Sequence, residues 1–201
     1  MNRQLAILCT VGILATATPA SAHSPIMGIG GVFGGILHAL LIPEHGMSVL
    51  ALGLVLGQQP WIQRRIGLLI FITAMTCGLV ASAFALGETL AADVLLVATG
   101  VLGLLIAAAW APPPLGWTLA ALAGLAAALD SRPEVASNEE AFRMLIGSGL
   151  GAAAAVAAVS ALSFRLRGKA QLIVSRVLGS WIAAIAILVL SLRIVTQMTV
   201  G

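Results

Sequence analysis

Charge is what this chain has least of: Asp, Glu, Lys and Arg make up 8% of its 201 residues. In an ordinary soluble domain about a quarter of residues are charged, so that class is excluded. The formal net charge of +3 comes from few residues, which gives no footing for a nucleic-acid partner. It reads instead as loop charge that sets orientation in a bilayer. Lysine occurs at Lys169 alone, in a predicted loop, which excludes a retinal protein. No Walker A pattern occurs, so any coupling to ATP needs another chain. No period of 20 to 50 residues marks a repeat array. Cysteine is as scarce, with Cys9 in the N-terminal segment and Cys77 in an apolar run. If Cys9 is removed with that segment, no intramolecular disulfide remains, and Cys77 reads as a buried structural thiol. No catalytic set and no organic cofactor are read, so the chain is expected not to be an enzyme.

What the chain does have is apolar length. Hydrophobic residues make up 60% and the mean hydropathy is +1.10. Several runs approach or exceed the roughly 20 residues that span a bilayer core. The fold class is therefore an all-α polytopic membrane protein, with the lipid bilayer as its first partner. Residues 1–22 read as a cleavable signal peptide: Arg3 is a basic n-region, Leu5 to Leu14 an apolar h-region, and Pro19-Ala20-Ser21-Ala22 a small-x-small cleavage site. Residues 23–201 then form a single helical transmembrane domain. Cleavage after Ala22 would leave His23 as the first residue, its free α-amine beside an imidazole forming a nitrogen chelate.

The apolar runs fall at 28–57, 65–86, 89–110, 114–130, 142–164 and 176–198, with Trp61, Trp110 and Trp117 near segment ends as interfacial anchors. The first run is too long for one straight crossing. Pro43 lacks an amide hydrogen and disfavours helical geometry at Ile42, so a break is expected there. Loop charge decides between two short crossings and one interrupted crossing. With the mature N-terminus outside and one net crossing, Arg64, Arg65, Arg165, Arg167 and Lys169 all fall in the cytoplasm, as the positive-inside rule asks. Two crossings would invert every assignment. About six crossings follow, the first interrupted at Pro43. The acidic residues Glu88, Asp93, Asp130, Glu134, Glu139 and Glu140 then lie toward the outer face, where carboxylates would concentrate cations. The plainer alternative is that 130–140 is a solvated connector.

Within the interrupted run, His38, Glu44 and His45 gather two of the chain's three histidines around a proline. Ionisable groups are costly inside a membrane and default to a functional hypothesis. Two imidazoles and a carboxylate form a mixed N/O set that suits nickel, cobalt, zinc or copper(II) rather than magnesium or calcium. The plainer alternative is a pair of packing histidines held by backbone carbonyls. Gly30/Gly34, Gly31/Gly35, Gly53/Gly57 and Gly147/Gly151 are small-xxx-small spacings that read as packing.

The cleavable signal leaving an N-terminal histidine, the Gly-rich helix and His38-x5-Glu44-His45 resemble the HupE/UreJ family of nickel permeases. That family's first motif is His, five residues, Asp, His, so Glu44 stands one methylene longer than the family's aspartate. The family's second, histidine-rich motif corresponds to Ala127–Glu134 here, where Asp130 and Glu134 offer oxygen and no histidine occurs. The resemblance covers most of the mature chain. It implies a multi-pass protein of the bacterial inner membrane with a periplasmic mature N-terminus. It also implies a divalent transition-metal permease or uptake protein, for nickel or cobalt. His23, His38, Glu44 and His45 would bind the metal ion, and Glu88, Asp93, Asp130 and Glu134 would line an accessory path. A second class is a non-transporting metal-binding accessory protein that works with metalloenzyme maturation proteins. A third, a haem or electron-transfer anchor, is weakened because its intramembrane histidines come from one segment.

Overall fold

A computed structural model describes residues 30–83, 90–131, 137–166 and 168–200. The expected signal peptide and the positions of His23, Glu88 and Glu134 lie outside the described residues. The chain forms α1 (Gly31–Leu41), α2 (Pro43–Gln58), α3 (Trp61–Ala83), α4 (Ala91–Ala108), α5 (Pro113–Leu129), α6 (Asn138–Arg165) and α7 (Lys169–Val200). Among the described residues the protein is all-helical. Four helices are long and apolar enough to cross a membrane, and α1 with α2 makes a fifth candidate span if the bent pair is counted as one. At 17 residues α5 is shorter.

The break falls where the proline requires it. Ile42 adopts φ −68° and ψ 120°, extended geometry imposed on the residue before proline. Pro43 then opens α2 at a position where its missing N–H costs nothing. The two helices meet at 73°. By rise per residue α2 alone covers about 24 Å, and α1, so steeply inclined, adds only about 5 Å along the same direction. Together they cover a length close to the ~30 Å hydrocarbon thickness.

Contacts between helices fix which ends lie together. Val32, Gly35 and Ile36 of α1 pack on Met144, Gly147 and Gly151 in the first half of α6, whereas Gly57 at the end of α2 packs on Ser160 and Ser163 near the end of α6. The two ends of the bent pair therefore pack at opposite ends of α6. At the α2 end, Trp117 donates from Nε1 to the Gln63 carbonyl at 3.1 Å and Arg176 donates to the Ala107 carbonyl at 2.8 Å. Arg64, Arg65, Arg165, Lys169 and Arg176 all lie toward this end. Arg64 is stacked between Trp61 and Phe164, 4.4 Å and 4.6 Å from their ring centroids. Every described carboxylate lies at the opposite end. The arginines there, Arg143 and Arg193, are both ion-paired, to Glu139 and to Glu44 with Asp93.

The central helix is α2. Residues 51–57 are all buried, and Ala51, Leu52, Val55 and Leu56 are inaccessible. Outer helices turn large apolar side chains such as Leu69, Leu150, Ile173 and Leu188 outward, the pattern of a lipid-facing surface. Hydroxyls on these helices, including Thr76, Thr118, Ser180 and Ser191, donate back to the carbonyl four residues earlier, so they need no water.

Cys77 requires a correction: it is exposed on α3. Met75 and Gly78 hold the buried face of that helix, so 100° of rotation per residue carries Cys77 to the outer side. The apolar run showed that the thiol lies in a helix but not which way the helix is turned.

One backbone feature carries a stability prediction. Ala109 ends α4 with φ 53° and ψ 36°, left-handed geometry that costs an L-residue about 1–2 kcal/mol. Glycine adopts it freely but also loses more freedom on folding. Ala109→Gly is therefore expected to stabilise the protein by about 0.5–1 kcal/mol, measured as a raised midpoint of unfolding in detergent.

Candidate metal site

The acidic end of the bundle holds a buried polar layer around the α1–α2 break. His38 lies in the last turn of α1, and His45 lies in the first turn of α2 with 2% of its surface exposed. Seven residues on an unbroken helix would separate them by about 10 Å along its axis. The bend instead brings the ring centroids to 5.6 Å, edge to face at 85°.

A carboxylate reaches this pair from far along the chain. Asp130, the C-cap of α5, sits 2.9 Å from Nε2 of His45 through Oδ2. Its side chain is 19% exposed. In the neutral imidazole Nε2–H donates to this carboxylate and the lone pair resides on Nδ1. A carboxylate–histidine pair of this kind fixes the ring orientation and its tautomer. Below Asp130, the Ser148 hydroxyl donates to the Ser131 hydroxyl at 3.1 Å, and Ser131 donates to the Ala127 carbonyl at 2.5 Å. These bonds tie the end of α5 to α6 and hold Asp130 at depth.

Glu44 takes a different partner. It lies in the first turn of α2, where the positive end of the helix dipole favours a carboxylate. Its Oε1 accepts from Arg193 of α7 at 2.6 Å, and the same guanidinium lies 3.5 Å from Asp93 at the start of α4. The structure thus divides the expected ligands. His45 meets His38 on one side and Asp130 on the other, while Glu44 and Asp93 share Arg193. Among the described residues no three His, Cys, Asp or Glu side chains converge as a metal-holding group. Arg193 is the participant that sequence reading missed. Its signal was available, since it is a lone cation near the end of the apolar run 176–198.

Glu139 and Glu140 line a shallow cavity of about 390 Å³ with Gly30, Gly31, Ser137 and Arg143 at the same end of the bundle. Glu139 and Glu140 therefore form an acidic rim beside the start of α1.

Comparison with known families finds a match to the family described as HupE / UreJ protein, over residues 11–189. Neither the curated proteins nor the solved structures contain a match to this chain.

Proposed function

This chain belongs to the HupE/UreJ family, which is associated with nickel and cobalt transport or accessory function, and we propose that it is a divalent transition-metal permease of the bacterial inner membrane. Nickel or cobalt is the cargo, and the acidic end faces the periplasm. The observation that carries this reading is the approach of Asp130 to His45 at 2.9 Å. The family's second motif corresponds to the segment containing Asp130, so the two motif regions meet in space although the second lacks histidine here. Two imidazoles with supporting carboxylates are a donor set suited to nickel, cobalt, zinc or copper(II).

The roles follow from position. Glu139 and Glu140, with Glu88 and Glu134, would draw cations to the outer mouth, and His23 would capture them. His38 and His45 would bind the ion through imidazole nitrogen, with Asp130 orienting His45. Glu44 would complete the set, and Asp93 would stand at the side of the path. The membrane potential favours inward movement of a divalent cation at about 2.3 kcal/mol per charge for each 100 mV.

A second reading, an accessory protein that binds metal for metalloenzyme maturation proteins without transporting it, is favoured by one feature. Between Ser48 and Gln58 the buried residues of α2 are apolar or glycine, so about 13 Å of the central helix offers an ion no polar step. Nickel uptake into sealed proteoliposomes separates the two: accumulation supports the permease, and binding without accumulation supports the accessory protein. Asp130→Asn tests the supporting carboxylate. It is expected to keep the fold and weaken nickel binding about 10–100-fold, as loss of a partner to a ligating histidine typically does. Unchanged affinity by calorimetry would remove Asp130 from the site.

A further inference from the structure

Arg193 is a costly residue to place where it lies. Its neighbours on the outer surface of α7, Leu192 and Ile194, are exposed apolar side chains, and its guanidinium turns inward to two carboxylates that come from two other helices. Glu44 is the nearer, at 2.6 Å, and its side chain is 18% exposed. Asp93 is 3.5 Å from the other terminal nitrogen. The guanidinium occupies the Glu44 carboxylate, so a cation at the adjacent His45 must compete with it for that ligand.

We propose that Arg193 is a tethered counter-cation that sets the affinity and release of the site, a role that rests on the metal-binding reading given above. While the site waits, the guanidinium neutralises Glu44 and occupies its carboxylate. An arriving divalent cation takes Glu44 as a ligand, and Arg193 remains paired with Asp93. The exchange breaks one ion pair and forms one metal–carboxylate bond, so neither the guanidinium nor Asp93 is left uncompensated in the bundle. When the ion leaves, Arg193 recaptures Glu44 and prevents the site from holding its cargo too tightly. The ligand class is a divalent cation that accepts mixed nitrogen and oxygen donors. Arg193 acts through Glu44 and is a positioning residue. It lies beyond the residues that match the family model.

The test is calorimetric titration of the full chain in detergent with nickel, comparing wild type with Arg193→Gln, Arg193→Lys, Glu44→Gln and the double variant Glu44→Gln/Arg193→Gln. Removing the competing charge is expected to tighten nickel binding about tenfold, equivalent to about 1.4 kcal/mol. Arg193→Lys keeps the charge and is expected to stay within about threefold of wild type. In the Glu44→Gln background, loss of Arg193 should bring no further gain, since the two residues act as one unit. A merely structural Arg193 would give equal or weaker binding in Arg193→Gln, and that result overturns the proposal. If neither wild type nor any variant binds nickel, the metal site itself fails and this role with it.

A measurement on the wild-type chain does not depend on the variants folding. Labelling with an arginine-selective dicarbonyl, read by mass spectrometry, should rise at Arg193 when nickel saturates the site, because the Glu44 contact opens. Labelling that is unchanged or falls with nickel overturns the exchange.

Discussion

Replacing either His38 or His45 by alanine is expected to abolish high-affinity nickel binding, weakening it more than about 100-fold. Partners that only orient a ligating histidine are worth about 10–100-fold, and loss of the ligand itself should exceed that range. Alanine at 45 has a second effect that must be separated from the first. It removes the ring that now faces the Asp130 carboxylate, and with it a hydrogen bond to a charged group worth about 1.5–3 kcal/mol. His45→Gln resolves the ambiguity. Its amide N–H₂ can still donate to Asp130, but it supplies no imidazole nitrogen to a metal. Stability near wild type with nickel affinity lost is the expected pair of results. If the histidines serve packing alone, both alanine variants will lose stability while nickel affinity stays unchanged, which would dispose of the site. Cys77→Ser is the internal control. The thiol lies on the outer side of α3, away from the histidines, and nickel affinity should not move.

The features legible in the sequence were those with local causes. Pro43 constrains its own helix and the residue before it, so the break at Ile42 could be read from two adjacent positions. The distribution of arginine and lysine offered a second cue, since Arg64 and Arg176 lie at one end of the bundle and the described carboxylates at the other. The contacts at both ends of α6 agree with a single passage by the first run. Side-chain partnerships were less accessible. His45 and Asp130 are separated by 85 residues and Glu44 and Arg193 by 149, and no periodicity links positions so far apart. Asp130 could be suspected from its place in the segment corresponding to a family motif, but its pairing with His45 depends on how α5 packs. Cys77 shows the same limit at shorter range. In an apolar run with little amphipathic contrast, helical phase is set by neighbouring helices and not by the run itself.

Small residues act at the other structural hinge of the site, and Gly35→Leu is expected to be severely destabilising. A side chain at Gly35 would be built directly onto the carbonyl oxygen of Met144, and one at Gly147 onto the carbonyl oxygen of Val32. The α1 and α6 backbones are therefore in reciprocal contact, and neither obstacle is a flexible side chain that can step aside. In a bilayer such close approach is a main source of association, because lipid tails solvate an exposed apolar side chain as well as protein does. Overpacking typically costs about 1–3 kcal/mol when neighbours can repack, and a collision with backbone belongs at or above the top of that range. The inclination of α1 also holds His38 against His45, so displacing the helix should weaken nickel binding in the fraction that folds. Gly168→Ala provides the contrast: nothing lies within 4 Å of its added carbon, and its effect should stay within about 0.5 kcal/mol. Chemical unfolding in detergent would measure the stabilities and calorimetry the nickel affinity. A Gly35→Leu protein with wild-type stability and binding would show that α1 is not held by this contact. The expected joint loss would instead tie the geometry of the histidine pair to a backbone contact more than a hundred residues away in the chain.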